Sequence, residues 1–184
     1  MIEYTSLEQR CNFETERLLV QSWKEQVASH SREKCFAKKV INILTHEVTK
    51  SLPDGWQGID SVDKALDWIR NRAKESAFLT IQFLYNQEVV GFIFLFETIS
   101  ADNSTDLRLG YLLSEAVWGK GLGSELIKGL VDWCEDVGNI KSISGGVEID
   151  NVGSIKVLER NGFNISTTEN PPENTIFLER KFNH

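Results

Sequence analysis

The stretch from Leu107 to Val137 constrains this chain more than any other. Leu107, Leu109, Tyr111 and Leu113 alternate with their neighbours, the period of a β-strand. A turn follows that carries Gly119, Gly121 and Gly123. From Leu122 to Val137 the apolar residues then recur at helical spacing, with Leu126, Ile127, Leu130, Val131 and Cys134 on one face. A helix start offers free N–H groups and a partial positive charge, so strand, glycine turn and helix together suit a phosphate. Glycines let the backbone approach the anion and present successive N–H donors. Lys120 adds a point charge and Ser124 a hydroxyl. The plain alternative is a tight strand-to-helix turn with no ligand.

Two common phosphate motifs fail here. The dinucleotide pattern G-x-G-x-x-G needs glycine at 124 after Gly119 and Gly121, and Ser124 stands there. No acidic residue closes a following strand at the distance that ribose recognition requires. The triphosphate loop G-x-x-x-x-G-K-[ST] is absent.

The rest of the pattern predicts an α+β fold, in which helices cover a central, mostly antiparallel sheet. Arg17 to Val20 reads as a first strand. Lys24 to about Lys50 reads as helical, with Phe36, Val40, Ile43 and Leu44 at helical spacing, until Ser51-Leu52-Pro53-Asp54-Gly55 breaks it. A second helix starts at Asp60 or Ser61 and is expected to bury Val62, Leu66, Ile69 and Ala73. Leu79, Ile81, Phe83 and Tyr85 alternate as a strand, Asn86-Gln87 turns the chain, and Val89 to Phe96 is a continuous apolar run. Ser100 to Thr105 is a polar loop. After the glycine turn come a strand from Ser142 to Ile149, a helix from Val152 to Arg160 ended by Asn161-Gly162, and a strand from Asn174 to Phe182.

Composition narrows the classes. The 184 residues carry 41% hydrophobic and 26% charged residues with only 3 Pro, and show no repeat or linker, so one domain spanning 1–184 is expected. A net charge of −7 argues against non-specific binding to nucleic acid or an anionic membrane and suits a cationic partner such as an amine. Cys11, Cys35 and Cys134 give neither a disulfide framework nor a zinc site, and Cys134 is expected to be a buried thiol. His30, His46 and His184 are scattered, so no metal is expected. Met1 to Arg10 lack the apolar core of a signal peptide, and Val89 to Phe96 is too short to span a bilayer. These features predict a cytoplasmic protein.

Three blocks carry a family resemblance. Trp118-Gly119-Lys120-Gly121-Leu122-Gly123 fits a Q/R-x-x-G-x-G/A cofactor motif, with Trp in place of Gln or Arg. Downstream stand Glu148-Ile149-Asp150-Asn151-Val152-Gly153-Ser154 and Val157-Leu158-Glu159-Arg160-Asn161-Gly162-Phe163, similar to a strand, an Asn-x-x-Ser helix and a terminal Gly-Phe. The opening Thr15-Glu16-Arg17-Leu18-Leu19-Val20 resembles a T-x-R-L start. Together they resemble the GNAT (N-acetyltransferase) superfamily and, within it, the Rim-type branch that acetylates ribosomal-protein N-termini. The resemblance covers Thr15 to about Phe182. It implies a mixed, mostly antiparallel twisted sheet flanked by helices, with a splayed strand pair that receives acetyl-CoA.

The resemblance also implies roles. The backbones of Leu112 and Leu113 pair with the pantetheine arm, and Trp118, Gly119, Lys120, Gly121, Leu122, Gly123 and Ser124 hold the pyrophosphate. Ser154 matches a serine that protonates the departing thiolate, since Leu158 replaces the tyrosine found there in many relatives. It also reads as an ordinary first-turn serine. Asn151 either anchors the cofactor or caps its helix. Glu148, expected to be partly buried, is the first candidate base, Glu97 the second, and a water-mediated base the third. Tyr111 and Trp118 either line a pocket or belong to the core, and Trp56 and Trp68 are candidates for the acceptor wall. The expected activity is transfer of an acetyl group from acetyl-CoA to a primary amine, by direct attack in a ternary complex and without a metal. The amine is a protein N-terminus or a small molecule, and the enzyme a monomer or homodimer. Drug or polyamine acetylation and non-catalytic acyl-CoA binding are the competing readings.

Overall fold

A computed structural model describes residues 5–27, 30–167 and 170–183, so His184 and the first four residues of the charged N-terminal lead lie outside the described residues. The chain divides into two compact units, Met1–Phe94 with Tyr111–Lys120, and Leu95–Gly110 with Gly121–His184.

The first unit opens with α1 (Leu7–Arg10), β1 (Phe13–Glu14) and β2 (Leu18–Ser22), followed by a 3-10 turn at Trp23–Gln26. Helices α2 (His30–Ile43), α3 (His46–Thr49) and α4 (Val62–Glu75) come next, then β3 (Ala77–Phe83) and the first part of β4 (Val89–Ile99). The single helix expected from Lys24 to Lys50 is therefore three elements. Thr45 makes the second break: its extended backbone (φ −67°, ψ 165°) leaves α2, and its hydroxyl caps α3 by accepting from the Val48 N–H. Ser61 caps α4, as expected.

The core of this unit is aromatic. Phe36, Trp68, Phe78 and Phe92 are at most 2% exposed, and Phe94 joins them. Trp23 stacks on Phe78 with centroids 5.9 Å apart, and Trp68 meets Phe78 edge-on at 5.6 Å, both favourable ring geometries. Trp56 packs edge-on against Phe94 at 4.8 Å, with the Arg72 guanidinium 4.5 Å over its ring. The buried face of α4 is Ala65, Trp68 and Ile69, while Val62, Leu66 and Ala73 are only partly buried. Trp68 is thus a core residue, not part of an acceptor wall. The helical stripe is rotated because the large indole outweighs smaller side chains in choosing the inward face.

The second unit holds the rest of β4, most of β5 (Thr105–Leu113), α5 (Leu122–Val137), β6 (Ile140–Glu148), α6 (Val152–Arg160), β7 (Asn164–Ile165) and β8 (Thr175–Lys181). Helix α5 buries Leu122, Leu126, Ile127, Leu130, Val131, Trp133 and Cys134, the predicted face with Leu122 and Trp133 added. Both α5 and α6 have the predicted bounds.

Eight strands run in the hydrogen-bonded order β1-β2-β3-β4-β5-β6-β8-β7. Neighbours pair antiparallel at β1–β2, β2–β3, β6–β8 and β7–β8, and parallel at β5–β6. The parallel ladder runs from Thr105↔Ile140 to Arg108↔Ser144, while β5 continues to Leu113 and β6 to Glu148. The sheet is therefore mixed and mostly antiparallel with helices packed against it, as the pattern predicted. No described helix is long and apolar enough to cross a membrane.

Phe78 touches Trp23, Phe36, Trp68, Phe92 and Phe94. Phe78→Ala is expected to cost about 3–5 kcal/mol in urea denaturation, the range for emptying a buried aromatic site. A loss under about 1 kcal/mol would mean that this cluster is not packed as described.

Candidate functional site

In the second unit the candidate site is the start of α5. Its N-cap is Gly121, in a left-handed conformation (φ 76°, ψ 2°) with no side-chain cap. By contrast α1, α3, α4 and α6 are capped by Ser6, Thr45, Ser61 and Asn151. The Glu125 N–H donates back to the Gly121 carbonyl at 3.2 Å. The N–H groups ahead of it lack a preceding helical carbonyl, so the tip of this 16-residue helix is a concentration of donors. Gly121 is exposed, Gly123 and Ser124 are half-buried, and the Leu122 side chain points into the core at 1% exposure.

The first unit supplies the chain leading to that point. Glu115–Val117 form a 3-10 turn after β5. The Trp118 indole is 50% exposed, and its Nε1–H donates to the Leu113 carbonyl at 2.8 Å. The Lys120 ammonium donates to the Ala116 carbonyl at 2.8 Å, and Arg17 Nη1 donates to the Lys120 carbonyl at 3.1 Å. The Thr45 hydroxyl donates to the Glu115 carboxylate. Gly119 has φ 71°, and a Cβ there would meet nothing within 4 Å, so conformation and not crowding calls for glycine.

Leu112 and Leu113 differ. Leu112 is 8% exposed, and its carbonyl lies so near β4 that a Cβ on Gly91 would fall 2.3 Å from it. Leu113 is half-buried and gives its carbonyl to Trp118. The inward side chains of β5 are Leu107, Leu109 and then Leu112, so the predicted alternation through Tyr111 slips by one residue, as an extra residue in a strand would cause.

The downstream block is more local than expected. Asn151 caps α6, its Oδ1 accepting from the Ser154 N–H at 3.1 Å, and its own N–H donates to the Glu148 carbonyl at 2.9 Å. Ser154 is half-buried in the first turn of that helix. Glu148 ends β6 on an exposed position, so the partial burial expected of it is absent; β6 alternates there, and Val147 takes the inward side. Glu97 is likewise exposed, in the part of β4 where burial stops.

Several participants escaped sequence reading. Arg17 sits in the T-x-R-L block, yet nothing in the sequence points it at Lys120. Thr45 and Glu115 lie 70 residues apart. Asn161 read only as a helix terminator, and its side chain reaches Ser124 across the same unit.

Known proteins give this geometry a context. A sequence model of the acetyltransferase (GNAT) domain matches residues 36–164. The chain belongs to the GNAT acetyltransferase family. A probable N-acetyltransferase of Bacillus subtilis, YjcK, is 33% identical over 78 residues; the match spans 42% of this chain and 42% of that protein, less than half of either. Among solved structures, a GNAT-family acetyltransferase from Bacillus anthracis superposes with a TM-score of 0.71 at 15% identity, covering 92% of this chain and 98% of that one. RimL, a ribosomal L7/L12 alpha-N-protein acetyltransferase in complex with coenzyme A, gives 0.67 at 17% identity, over 91% and 95%. At these identities the two structures establish a shared fold.

Cysteine chemistry gives a direct check on the packing of the far end of α5. Cys134 on α5 is 0% exposed, and burial pushes its thiol up to about 12. Cys11 is buried and Cys35 exposed. Ellman's reagent at pH 8 is therefore expected to titrate Cys35 quickly and the other two only after denaturation. Fast modification of Cys134 in native protein, identified by peptide mass mapping, would contradict the packing of α5.

Proposed function

We propose that the chain is an acetyl-CoA-dependent N-acetyltransferase, acting within 1–184 as a single acetyltransferase domain. The observation that carries this reading is the uncapped, glycine-bounded start of α5 in a chain of the GNAT family. The donor set fits a diphosphate, whose oxygens accept from backbone N–H groups without needing a side-chain cation. Gly121, Leu122 and Gly123 would hold it through their N–H groups, and Ser124 through its hydroxyl. Gly119 shapes the turn, and Lys120, whose ammonium has further donors beyond the one on Ala116, adds charge.

Bound acetyl-CoA supplies an acetyl group activated as a thioester. The chain's part is to bind, orient and move protons. Of the two leucines, Leu113 is the better partner for the pantetheine arm, because the Leu112 carbonyl is turned against Gly91. Trp118 fixes the Leu113 carbonyl from the side. Ser154 is the candidate donor to the departing thiolate. Asn151 serves it indirectly by capping its helix. For the acceptor's proton, the exposure of Glu148 and Glu97 favours relay through water over direct abstraction by a desolvated carboxylate.

The acceptor is a primary amine, either a protein N-terminus or a small molecule, and the net charge of −7 suits its cationic form. YjcK is described as a probable N-acetyltransferase and RimL as a ribosomal-protein alpha-N-acetyltransferase, which supports that class. We place the protein in the cytoplasm as a monomer or homodimer without a metal. A second reading, a non-catalytic acyl-CoA-binding module, draws on the exposure of both candidate bases and on Leu158 in the usual tyrosine position.

Thiol release from acetyl-CoA against a panel of amines, polyamines and basic N-terminal peptides separates the two. An amine-dependent rate is expected. Calorimetric CoA binding with no acceptor-dependent rate would favour the binding module, and absence of CoA binding would remove both. Gly121→Glu is expected to abolish CoA binding, because its carboxylate would compete for the anion's donors and a left-handed backbone strains any side chain. Ser154→Ala is expected to lower turnover about 100-fold or more, within the range for a lost acid catalyst, with little change in CoA affinity. Wild-type turnover in that variant would remove the role given to Ser154.

A further inference from the structure

Asn161 closes α6, and its side chain does more than end a helix. Its Nδ2 donates to the Val157 carbonyl at 2.8 Å, and lies 3.3 Å from the Ser124 carbonyl and 3.4 Å from the Ser124 hydroxyl oxygen. An amide nitrogen carries two hydrogens. One serves Val157, and the other is shared between the two oxygens of Ser124. A hydroxyl has only one hydrogen of its own, and an oxygen already accepting from Asn161 is poised to give that hydrogen away. Among the described residues, no donation from the Ser124 hydroxyl is found. The result is a hydroxyl whose lone pair faces α6 and whose hydrogen is left for something outside the protein.

Asn161 is itself held firmly. Its carbonyl accepts from Arg180 Nη1 at 2.6 Å, and Arg180 Nη2 pairs with Glu135 of α5 at 2.7 Å. The next residue, Gly162, has φ 80°, and a Cβ there would fall 2.6 Å from Arg180 Nη1. The last turn of α6 is thus fastened to β8 and α5, and from that anchorage Asn161 reaches the first turn of α5.

We propose that Asn161 is a positioning residue for the anion site at the start of α5. It donates to Ser124 and thereby commits the Ser124 hydroxyl to donating outward, to a phosphate oxygen. This rests on the reading of that helix start as the pyrophosphate site. Asn161 touches no ligand in this scheme, so its effect must pass through Ser124 and appear only with ligands that carry the diphosphate.

The test is a double-mutant cycle read by calorimetry with two probes, CoA and pantetheine, the second lacking the diphosphate. Ser124→Ala is expected to weaken CoA binding about tenfold or more, the size of a lost hydrogen bond to a charged acceptor. Asn161→Ala is expected to weaken it about three- to tenfold when Ser124 is present, and less than about twofold in the Ser124→Ala background. Pantetheine affinity stays level throughout. Equal losses from Asn161→Ala in both backgrounds, or parallel loss of pantetheine affinity, would show that Asn161 acts only as a structural tie and overturn the proposal. Should Asn161→Ala fail to fold, Asn161→Asp takes its place: it keeps the shape, and its charge acts alike in both backgrounds and drops out of the comparison. Its expected excess loss when Ser124 is present comes from a carboxylate that accepts the Ser124 hydrogen. Wild-type protein that binds no CoA would instead refute the pyrophosphate reading, an outcome distinct from an additive cycle on a protein that binds.

Discussion

The burial of one face of α5 is the interaction on which the second unit depends. Leu122, Leu126, Ile127, Leu130, Val131, Trp133 and Cys134 all point inward, and the helix packs against β6 and α6. Removing that much apolar surface from water outweighs anything that happens at the helix ends. The position of the tip is therefore set along the flank of the helix, and the tip needs no capping side chain of its own. Gly121 and Gly138, both left-handed, bound the helix without competing for its terminal groups. A helix start held in place and left uncapped is what an anion site requires.

In the first unit the same logic works through aromatic rings. Trp23, Phe36, Trp68, Phe78, Phe92 and Phe94 fix α2 and α4 against β3 and β4. On this frame three polar contacts hold the segment after β5: Arg17 on the Lys120 carbonyl, the Thr45 hydroxyl on Glu115, and the Trp118 indole on Leu113. Arg17 directly precedes β2, Thr45 directly precedes α3, and Leu113 ends β5, so each contact starts or finishes beside an element that packing positions. The polar contacts then choose a conformation more than they supply stability, since exposed hydrogen bonds contribute only modestly.

Much of the fold could be read from residue patterns alone, and the reasons are physical. The long helices α5 and α6 show strong periodicity, and Asn161-Gly162 stops α6, so their bounds came out as predicted. The buried run Val89 to Phe96 became β4, although Phe96 itself is exposed. What escaped reading involved competition between local signals and tertiary packing. The stretch from Lys24 to Lys50 looks uniformly helical until Thr45 turns from helix residue to cap. The stripe of α4 followed size instead of spacing, which moved Trp68 from the acceptor wall to the core. The glycine turn and its helix were legible as a candidate site because they are contiguous. The contacts of Arg17, Glu115 and Asn161 were not, because each joins residues far apart in sequence, and the burial of Glu148 was misjudged because strand phase alone decides it.

Gly91 carries a consequence for how sequences of this kind are compared. The Leu112 carbonyl occupies the space any side chain at 91 would need, and Leu113 Cδ2 would lie 2.9 Å from it as well. A residue larger than glycine would push β5 aside just before the chain turns toward α5. Position 91 is therefore under a steric veto from the backbone of β5. A glycine retained at such a position would record where two strands meet, and its retention alone would not mark it as a catalytic group.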